Sequence, residues 1–292
     1  ARAAMTDVEQ EALEAYREAK LLTARRLAEE AIDDDDASLV GHFVLGSVQL
    51  EAEGDHARAL HSLARARELY ENAWDVAPRP PDAPWELHRD TLQQIVRVSR
   101  EMELHRYTLR VLDYYEALYR PMMPGVRAWA MLQLDRLDDA EAVAAEAAAS
   151  DDPLVRMDGL NVLCAIESAR ASRIDYRDAC FEGFEHARRL YDPANPAAEP
   201  EPFRLALPAF NAALGLRANL EFALAEEVLR EGAARLAFTP ANPWRLLTRM
   251  LAAEARTGDL VDALEQMDRW RNRQPPNYRS LSRAENDATF AT

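Results

Sequence analysis

Short segments in which small or apolar residues recur at offsets of four and three alternate along the chain with polar or proline-rich stretches. In the segment GDHARALHSLARA, residues 54 to 66, these positions are held by Ala59, Leu63 and Ala66. Residues three and four apart lie on one face of an α-helix. The pattern therefore predicts a helix with a narrow apolar stripe, and such a helix has to pack between neighbours on both sides.

The same stripe recurs along most of the chain. The first positions of seven such stripes are Ala24, Ala59, Thr108, Ala140, Ala179, Ala225 and Ala263, separated by 35, 49, 32, 39, 46 and 38 residues. In the fifth stripe Gly183 follows Ala179, and the third member, Ala187, stands one position late. A recurrence at a nearly fixed period is typical of a helical repeat protein, in which each unit buries its stripe against the next.

Other features accompany the stripes. Each stripe belongs to the second helix of a predicted helix pair. Gly46 is a small residue in the middle of the first helix of one pair, and Pro153 follows the second helix of another. Gly54-Asp55 and Gly258-Asp259 predict turns between the two helices of a pair. Together these features resemble the tetratricopeptide repeat (TPR) family, whose repeat is about 34 residues long. The resemblance implies an all-α, TPR-like α-solenoid, a right-handed superhelix of about seven helix-turn-helix repeats.

Residues 1–292 are expected to form a single TPR-like solenoid. Proline-rich stretches near 75–85 and 191–203 are predicted to be irregular loops between repeats, because proline inside a helix removes a hydrogen bond. No segment has the alternation of a β-strand, and alanine, leucine, glutamate and arginine dominate the composition, as expected for helices.

Charge and cysteine content narrow the function classes. With 51 acidic and 35 basic residues the net charge is -16, which opposes non-specific binding to nucleic acid or anionic lipid. No apolar run approaches the ~20 residues of a membrane span, and no signal peptide is recognisable, so a cytoplasmic protein is expected. Cys164 and Cys180 are expected to be buried, reduced thiols. Nearly all the basic residues are arginine, which we attribute to a GC-rich, bacterial genome that favours arginine codons.

No residue cluster predicts a reaction. The nine glycines never form a phosphate-binding loop, and the six histidines are dispersed, without the spacing of a metal site. Neither a cofactor nor a metal is predicted, and the tryptophans are assigned to packing between helices. We therefore expect no enzymatic activity.

The family resemblance also suggests where a partner binds, because first helices line the concave face in TPR proteins. Alignment on the stripes assigns to that face Arg97, Arg100, Asn211, Arg217, Arg245 and Arg249. An arginine can hold a carboxylate through two parallel hydrogen bonds. A protein or peptide partner, with acidic or carboxylate groups, is therefore expected.

The sequence favours a non-catalytic protein–protein interaction scaffold or adaptor that binds its partner on the concave face. Two alternatives remain open at this stage. The chain could be a regulatory or sensor domain of a larger signalling protein, a kinase or a transcription regulator, or a helical enzyme whose site residues converge only in the folded state.

Overall fold

A computed structural model describes residues 5–170, 173–190, 192, 194, 206–234, 251, 256–262 and 264–265. Within these ranges every regular element is a helix, and successive helices pack against one another in pairs. This confirms the all-α helical repeat fold that the sequence predicts. The chain divides into two compact units, one ending at Met122 and the other beginning at Met123. The single solenoid over the whole chain remains a prediction.

The first unit contains three helix pairs. Its helices are α1 (Asp7–Arg17), α2 (Leu21–Asp34), α3 (Leu39–Val48), α4 (His56–Ala73), α5 (Trp85–Glu101) and α6 (His105–Leu118). One turn of π-helix, Gln49–Glu53, continues α3. The segment between α4 and α5 contains no helix, and the irregular loop between repeats near residues 75–85 remains a prediction.

The second unit also contains three helix pairs in its described part. Its helices are α7 (Pro124–Gln133), α8 (Leu137–Ala148), α9 (Pro153–Ala169), α10 (Arg173–Leu190), α11 (Ala206–Ala218) and α12 (Phe222–Ala234). The loop predicted near 191–203 lies almost wholly outside the described residues. None of the described helices is long and apolar enough to cross a membrane.

Several helices are capped at their N-terminus by a side chain that accepts a hydrogen bond from a backbone amide of the first turn. Thr6 and Glu9 form a reciprocal capping box at α1, and Ser38 accepts from the amide of Gly41 at α3. Asp55 caps α4, and Asp152 caps α9 ahead of a proline at the first helical position. Such caps satisfy amides that have no partner inside the helix, which fixes where each helix starts.

The apolar stripes form the core. Their members in the second helices are at most 4% exposed at Ala24, Ala28, Ala31, Ala59, Leu63, Ala66, Thr108, Leu112, Tyr115, Ala140, Ala144 and Ala147. The surroundings of Gly46, in the middle of α3, show why the facing positions of a helix pair are small. A Cβ at Gly46 would lie 2.7 Å from the Leu63 side chain and 3.1 Å from the Ala59 carbonyl oxygen. The two helices of this pair are therefore in direct backbone contact.

In the fifth pair the stripe is shifted by one residue from its predicted position. Cys180, Phe184 and Ala187 are 1%, 1% and 0% exposed, whereas Ala179 is only partly buried. These three residues restore offsets of four and three, so the apparent delay at Ala187 came from starting the stripe at Ala179. The error arose because alanine is the usual first residue and a cysteine of similar size fills the same space.

The prediction of reduced thiols is wrong, although both cysteines are buried as expected. Cys164 on α9 and Cys180 on α10 form a disulfide, with an S–S distance of 2.03 Å and Cα atoms 4.6 Å apart. The physical reason is that the two positions face each other across a helix pair. A separation of 16 residues along the chain gave no indication of this contact.

In five of the six helix pairs the turn has one shared backbone conformation, and the turn between α9 and α10 is not fully described. Residues with positive φ occur at Ala19, Gly54, Glu103, Asp135 and Leu220, with φ between 57° and 64°. Each stands five positions before the first stripe residue of the following helix. The amide of the next residue closes the helix end; for example, Lys20 N donates to Ala15 O at 2.9 Å. This is the left-handed helix ending that glycine favours, yet four of the five positions are not glycine.

The turn predicted at Gly258-Asp259 is wrong. Arg256 N donates to Leu251 O at 2.9 Å, the same bond as that from Lys20 N to Ala15 O. Gly258 lies in the helical residues that follow and is exposed. Because four of the five described turns do not use glycine, a glycine was a poor marker of their position. The predicted stripe residues Ala263, Met267 and Trp270 lie outside the described residues.

Candidate partner-binding groove

The first helices of the three pairs in the first unit line two adjoining cavities, which we call the α1–α3–α5 groove. One cavity, of about 290 Å³, is lined by Met5, Leu13, Tyr16, Arg17, Phe43, Ala83, Pro84, Trp85, Glu86, Leu87 and Asp90. The other, of about 400 Å³, is lined by Tyr16, Phe43, Asp90, Gln93, Gln94 and Arg97. Most of the surface of the first cavity is apolar, whereas the second has a larger polar share, from Asp90, Gln93, Gln94 and Arg97.

Two aromatic side chains stand where the cavities meet. The rings of Tyr16 and Phe43 are perpendicular, with centroids 5.8 Å apart, an edge-to-face arrangement that aromatic pairs prefer. Phe43 is 4% exposed, so it forms the floor of the groove. Trp85 begins α5 at the apolar end, where the guanidinium of Arg79 lies 4.9 Å from its ring centroid.

The Glu51 carboxylate connects the three helices at the polar end. Its Oε1 accepts hydrogen bonds from Tyr16 OH at 3.0 Å, Gln94 Nε2 at 3.2 Å and Arg97 Nη1 at 3.1 Å. Burial, with the negative charge of Glu51, raises the pKa of Tyr16 well above its usual value. The tyrosine therefore remains a neutral donor, and the groove presents a fixed polar surface.

The π-helical turn explains how Glu51 reaches this position. Gln49–Glu53 carries the extra residue that a π-turn inserts into a helix, which changes the direction of the side chains that follow α3. Gln49 then accepts a hydrogen bond from Ser62 Oγ on α4 at 3.0 Å, while Glu51 faces α1 and α5. Such turns occur frequently at functional sites.

A buried cluster holds the opposite face of α5. His88 is 0% exposed; its Nε2 donates to Glu71 Oε1 at 3.2 Å, and its Nδ1 lies 2.7 Å from the Tyr119 hydroxyl. The ring of Tyr70 stacks on the imidazole at 4.2 Å. These contacts join α4, α5 and the residue after α6, so they fix the orientation in which α5 presents its other face to the groove.

Glu71 remains ionised within this cluster. Burial raises its pKa, but hydrogen bonds from His88 and Arg67 lower it more, so the pKa of Glu71 falls to about 2. Arg67 Nε donates to the carboxylate at 2.7 Å, and its guanidinium lies over the ring of Tyr114 at 4.5 Å. The carboxylate is therefore held by charge-assisted hydrogen bonds from two directions.

The candidate site residues from the sequence are divided between the units. Arg97 lines the groove and is 46% exposed, with one ion pair to Glu51. Arg100 lies on the same helix, lines neither cavity, and pairs with Glu101 at 3.1 Å.

The remaining candidates lie on α11 or beyond the described part of the chain. Asn211 Nδ2 donates to Asn161 Oδ1 of α9 at 3.5 Å, and Arg217 is partly buried near the end of α11. Arg245 and Arg249 lie outside the described residues.

Sequence reasoning missed several residues that build the groove. Tyr16, Phe43, Glu51 and Gln94 belong to different repeats, and no spacing along the chain connects them. Trp85 was assigned to packing, although it also lines the apolar cavity. The sequence contained one signal for these residues: aromatic side chains on first helices, which are not members of the apolar stripes.

Across the part of the chain that the structure describes, no group of three or more histidine, cysteine, aspartate or glutamate side chains is placed to hold a metal ion.

Comparison with known proteins establishes the fold. A tetratricopeptide repeat protein from Parabacteroides merdae superposes with a TM-score of 0.59 over 90% of this chain and 91% of its own, at 13% sequence identity. No protein-family model matches the sequence. No curated protein matches it either. The chain therefore has a TPR-like, all-α helical repeat fold.

Two further solved structures are similar over long stretches. BtubC from P. vanneervenii gives a TM-score of 0.49 at 15% identity, over 78% of this chain and 90% of its own. The TPR2AB domain of yeast Sti1, solved as a complex with pHSP90, gives 0.34 at 14% identity, over 97% and 96%. With TM-scores below 0.5, these two similarities do not define a common fold.

Proposed function

We propose that this protein is a non-catalytic interaction module that binds a peptide or protein partner in the α1–α3–α5 groove. The observation that carries the proposal is the pair of adjoining cavities on the first helices of three successive pairs, one mostly apolar and the other lined largely by polar side chains. A TPR-like fold supports it, because repeat folds present extended surfaces built from one element of each repeat.

The two cavities suggest how a partner segment would be held. A bulky apolar side chain fits the cavity beside Phe43 and Trp85, where burial supplies most of the binding energy. The amide groups of Gln93 and Gln94 would meet the backbone of the same segment in the polar cavity. Gln93 Nε2 already donates a hydrogen bond to Tyr115 OH at 2.8 Å, which holds the side chain in place. The side-chain carbonyl oxygen of Gln93 therefore has a fixed position.

The acidic character of the partner remains a prediction. Arg97 and Arg100 each share their guanidinium with a glutamate, so a partner carboxylate would have to compete with Glu51 or Glu101. Arg97 uses one N–H in its bond to Glu51, and a guanidinium has five. We therefore retain Arg97 as the described arginine best placed to meet a partner in the groove.

Paired variants test the groove directly. A partner is first captured on the immobilised full chain and identified by mass spectrometry, and the purified partner is then titrated calorimetrically. The double variant Glu86→Ala/Arg97→Ala alters two exposed residues that line the groove. We expect its affinity to fall about tenfold or more, because each residue lines one of the two cavities and both side chains would contact the bound segment.

The matched control removes the same two charges from a second helix. Arg58→Ala/Glu68→Ala changes residues of α4 that are 72% and 58% exposed and line neither cavity. This control should bind as the wild type does. Equal affinities for all three proteins would refute the groove as the binding site, and thermal melts would verify that each variant is folded.

A cytoplasmic location also remains a prediction. Disulfides persist in oxidising compartments and are rare in the cytoplasm of most cells. The bond between Cys164 and Cys180 therefore supports an oxidising compartment rather than the cytoplasm that the sequence suggested.

A further inference from the structure

The disulfide occupies a structurally defined position in its repeat. Cys180 is the first stripe residue of α10, where the corresponding residues of other second helices are Ala24, Ala59, Ala140 and Ala225, each 0% exposed. In those pairs a small side chain packs against the first helix without a covalent bond. Only α9 and α10 can be crosslinked in this way, since the chain contains two cysteines.

The bonded helix α9 is in contact with several neighbours in the second unit. It packs against α7, α8, α10 and α11. The contact with α8 is very close: a Cβ at Gly159 would lie 2.4 Å from the amide nitrogen of Ala148. Asn161, two positions further, reaches Asn211 on α11. α9 therefore contacts both of the other described first helices of this unit, α7 and α11.

We propose that the Cys164–Cys180 bond is a redox-dependent lock, which holds α9 against α10 and is opened by a dithiol reductant. A reductant thiolate attacks one sulfur and forms a mixed disulfide, and its second thiol then releases the protein cysteine. The protein gains two electrons and two protons and ends with two thiols. The reductant leaves as its cyclic disulfide. This inference is independent of the α1–α3–α5 groove, which lies in the other unit.

Burial of the two cysteines slows the reduction of the disulfide. Cys164 and Cys180 are 3% and 1% exposed, so a thiolate can approach either sulfur only after α9 and α10 separate. Reduction by dithiothreitol should therefore be slow in buffer and should accelerate in urea below the unfolding transition, because local opening limits the rate.

The direct test compares oxidised and reduced protein. Dithiothreitol, removed after reduction under argon, gives the dithiol form, and alkylation with mass spectrometry counts its thiols. We expect no alkylation of the protein purified without reductant and denatured, and two labels after reduction. The reduced protein should melt roughly 5–10 °C lower, as expected for the loss of a crosslink closing a loop of this length.

A matched variant separates the lock from an effect of reductant on the rest of the protein. Cys180→Ala introduces the residue that four other pairs use at this position, so the helix pair should still fold. It should melt at the temperature of the reduced wild type and should not respond to dithiothreitol. Cys164→Ala serves as a second variant if Cys180→Ala does not fold.

Hydrogen–deuterium exchange locates the effect. Reduction should speed exchange in α9 and α10 and leave α3 and α4 unchanged, because the latter pair carries no cysteine. Two alkylated thiols in the untreated protein would overturn the proposal. Identical melting temperatures and exchange for the oxidised and reduced forms would also overturn it.

Discussion

At the scale of single residues, the protein depends on where side chains are small and where the backbone adopts positive φ. The stripe residues are buried because the two helices of a pair approach to backbone contact, as Gly46 shows most directly. The turns depend on one left-handed residue each. Both requirements are local, but only the first is visible in the sequence, because four of the five described turn residues are not glycine.

Two glycine substitutions should have opposite effects for this reason. Gly54 has φ 64°, so Gly54→Ala should destabilise the protein by about 1 kcal/mol, the cost of a side chain in the left-handed region. Gly258 is helical and exposed, with no atom near an added Cβ. Gly258→Ala should therefore stabilise it by about 0.5–1 kcal/mol.

Urea unfolding of the two variants measures both free energies. Each variant serves as the control for the other, since the chemical change is the same. A destabilisation by Gly258→Ala equal to that of Gly54→Ala would mean that Gly258 forms a turn, as the sequence pattern suggested, and not a helix.

At the scale of helices, polar clusters determine how neighbouring elements are oriented. Glu51 connects α1, the π-turn and α5 through three hydrogen bonds. On the other face of α5, His88 and Glu71 connect α5 to α4 and to the chain after α6. The apolar stripe brings helices together, and these directional contacts then fix α5 between two sets of partners.

The Glu71 cluster predicts a pH dependence. The pKa of Glu71 is lowered from its ordinary value of 4.5 to about 2 in the folded protein. Its contribution to stability is therefore complete above pH 4.5 and is lost as the pH falls from 4.5 toward 2. A shift of this size corresponds to at most about 3 kcal/mol, and less here because the side chain is 29% exposed.

Glu71→Gln isolates this contribution from that of other carboxyl groups. The free energy of unfolding, measured in urea between pH 2.5 and 6, should fall less steeply with acidification in the variant than in the wild type. Parallel pH curves for the two proteins would show that Glu71 has the same pKa in the folded and unfolded states.

At the scale of the whole chain, helix pairs in a repeat protein contact mainly their sequence neighbours, as the packing of successive helices shows here. Stability in such proteins is approximately a sum of terms for each repeat and for each interface between neighbours. A local defect should therefore remain local, unlike a defect in the single core of a globular domain.

Gly159→Ala tests this locality. The added methyl would lie 2.4 Å from the Ala148 amide nitrogen and 2.7 Å from the Ala144 carbonyl oxygen, which are backbone atoms, so α8 and α9 have to move apart. We expect a loss of about 2–3 kcal/mol and faster hydrogen exchange in α8 and α9, with α1–α4 unchanged. Faster exchange throughout the chain would indicate a single cooperative unit instead.

The sequence by itself determined the repeat architecture, because the stripe at offsets of four and three is a local periodicity that a helix imposes. It placed most second helices correctly, whereas the partner-binding role that it assigns to Arg97 remains a prediction. Those properties depend on residues within one helix, for which spacing along the chain and position in space are equivalent.

Only the tertiary structure decided which distant residues meet. The contact of Tyr16, Phe43, Glu51 and Arg97, and the bond between Cys164 and Cys180, join different helices whose relative rotation no single-helix pattern contains. The π-turn that directs Glu51 has no distinctive residue to mark it. Its position follows from the packing of helix pairs, which is a property of the folded chain.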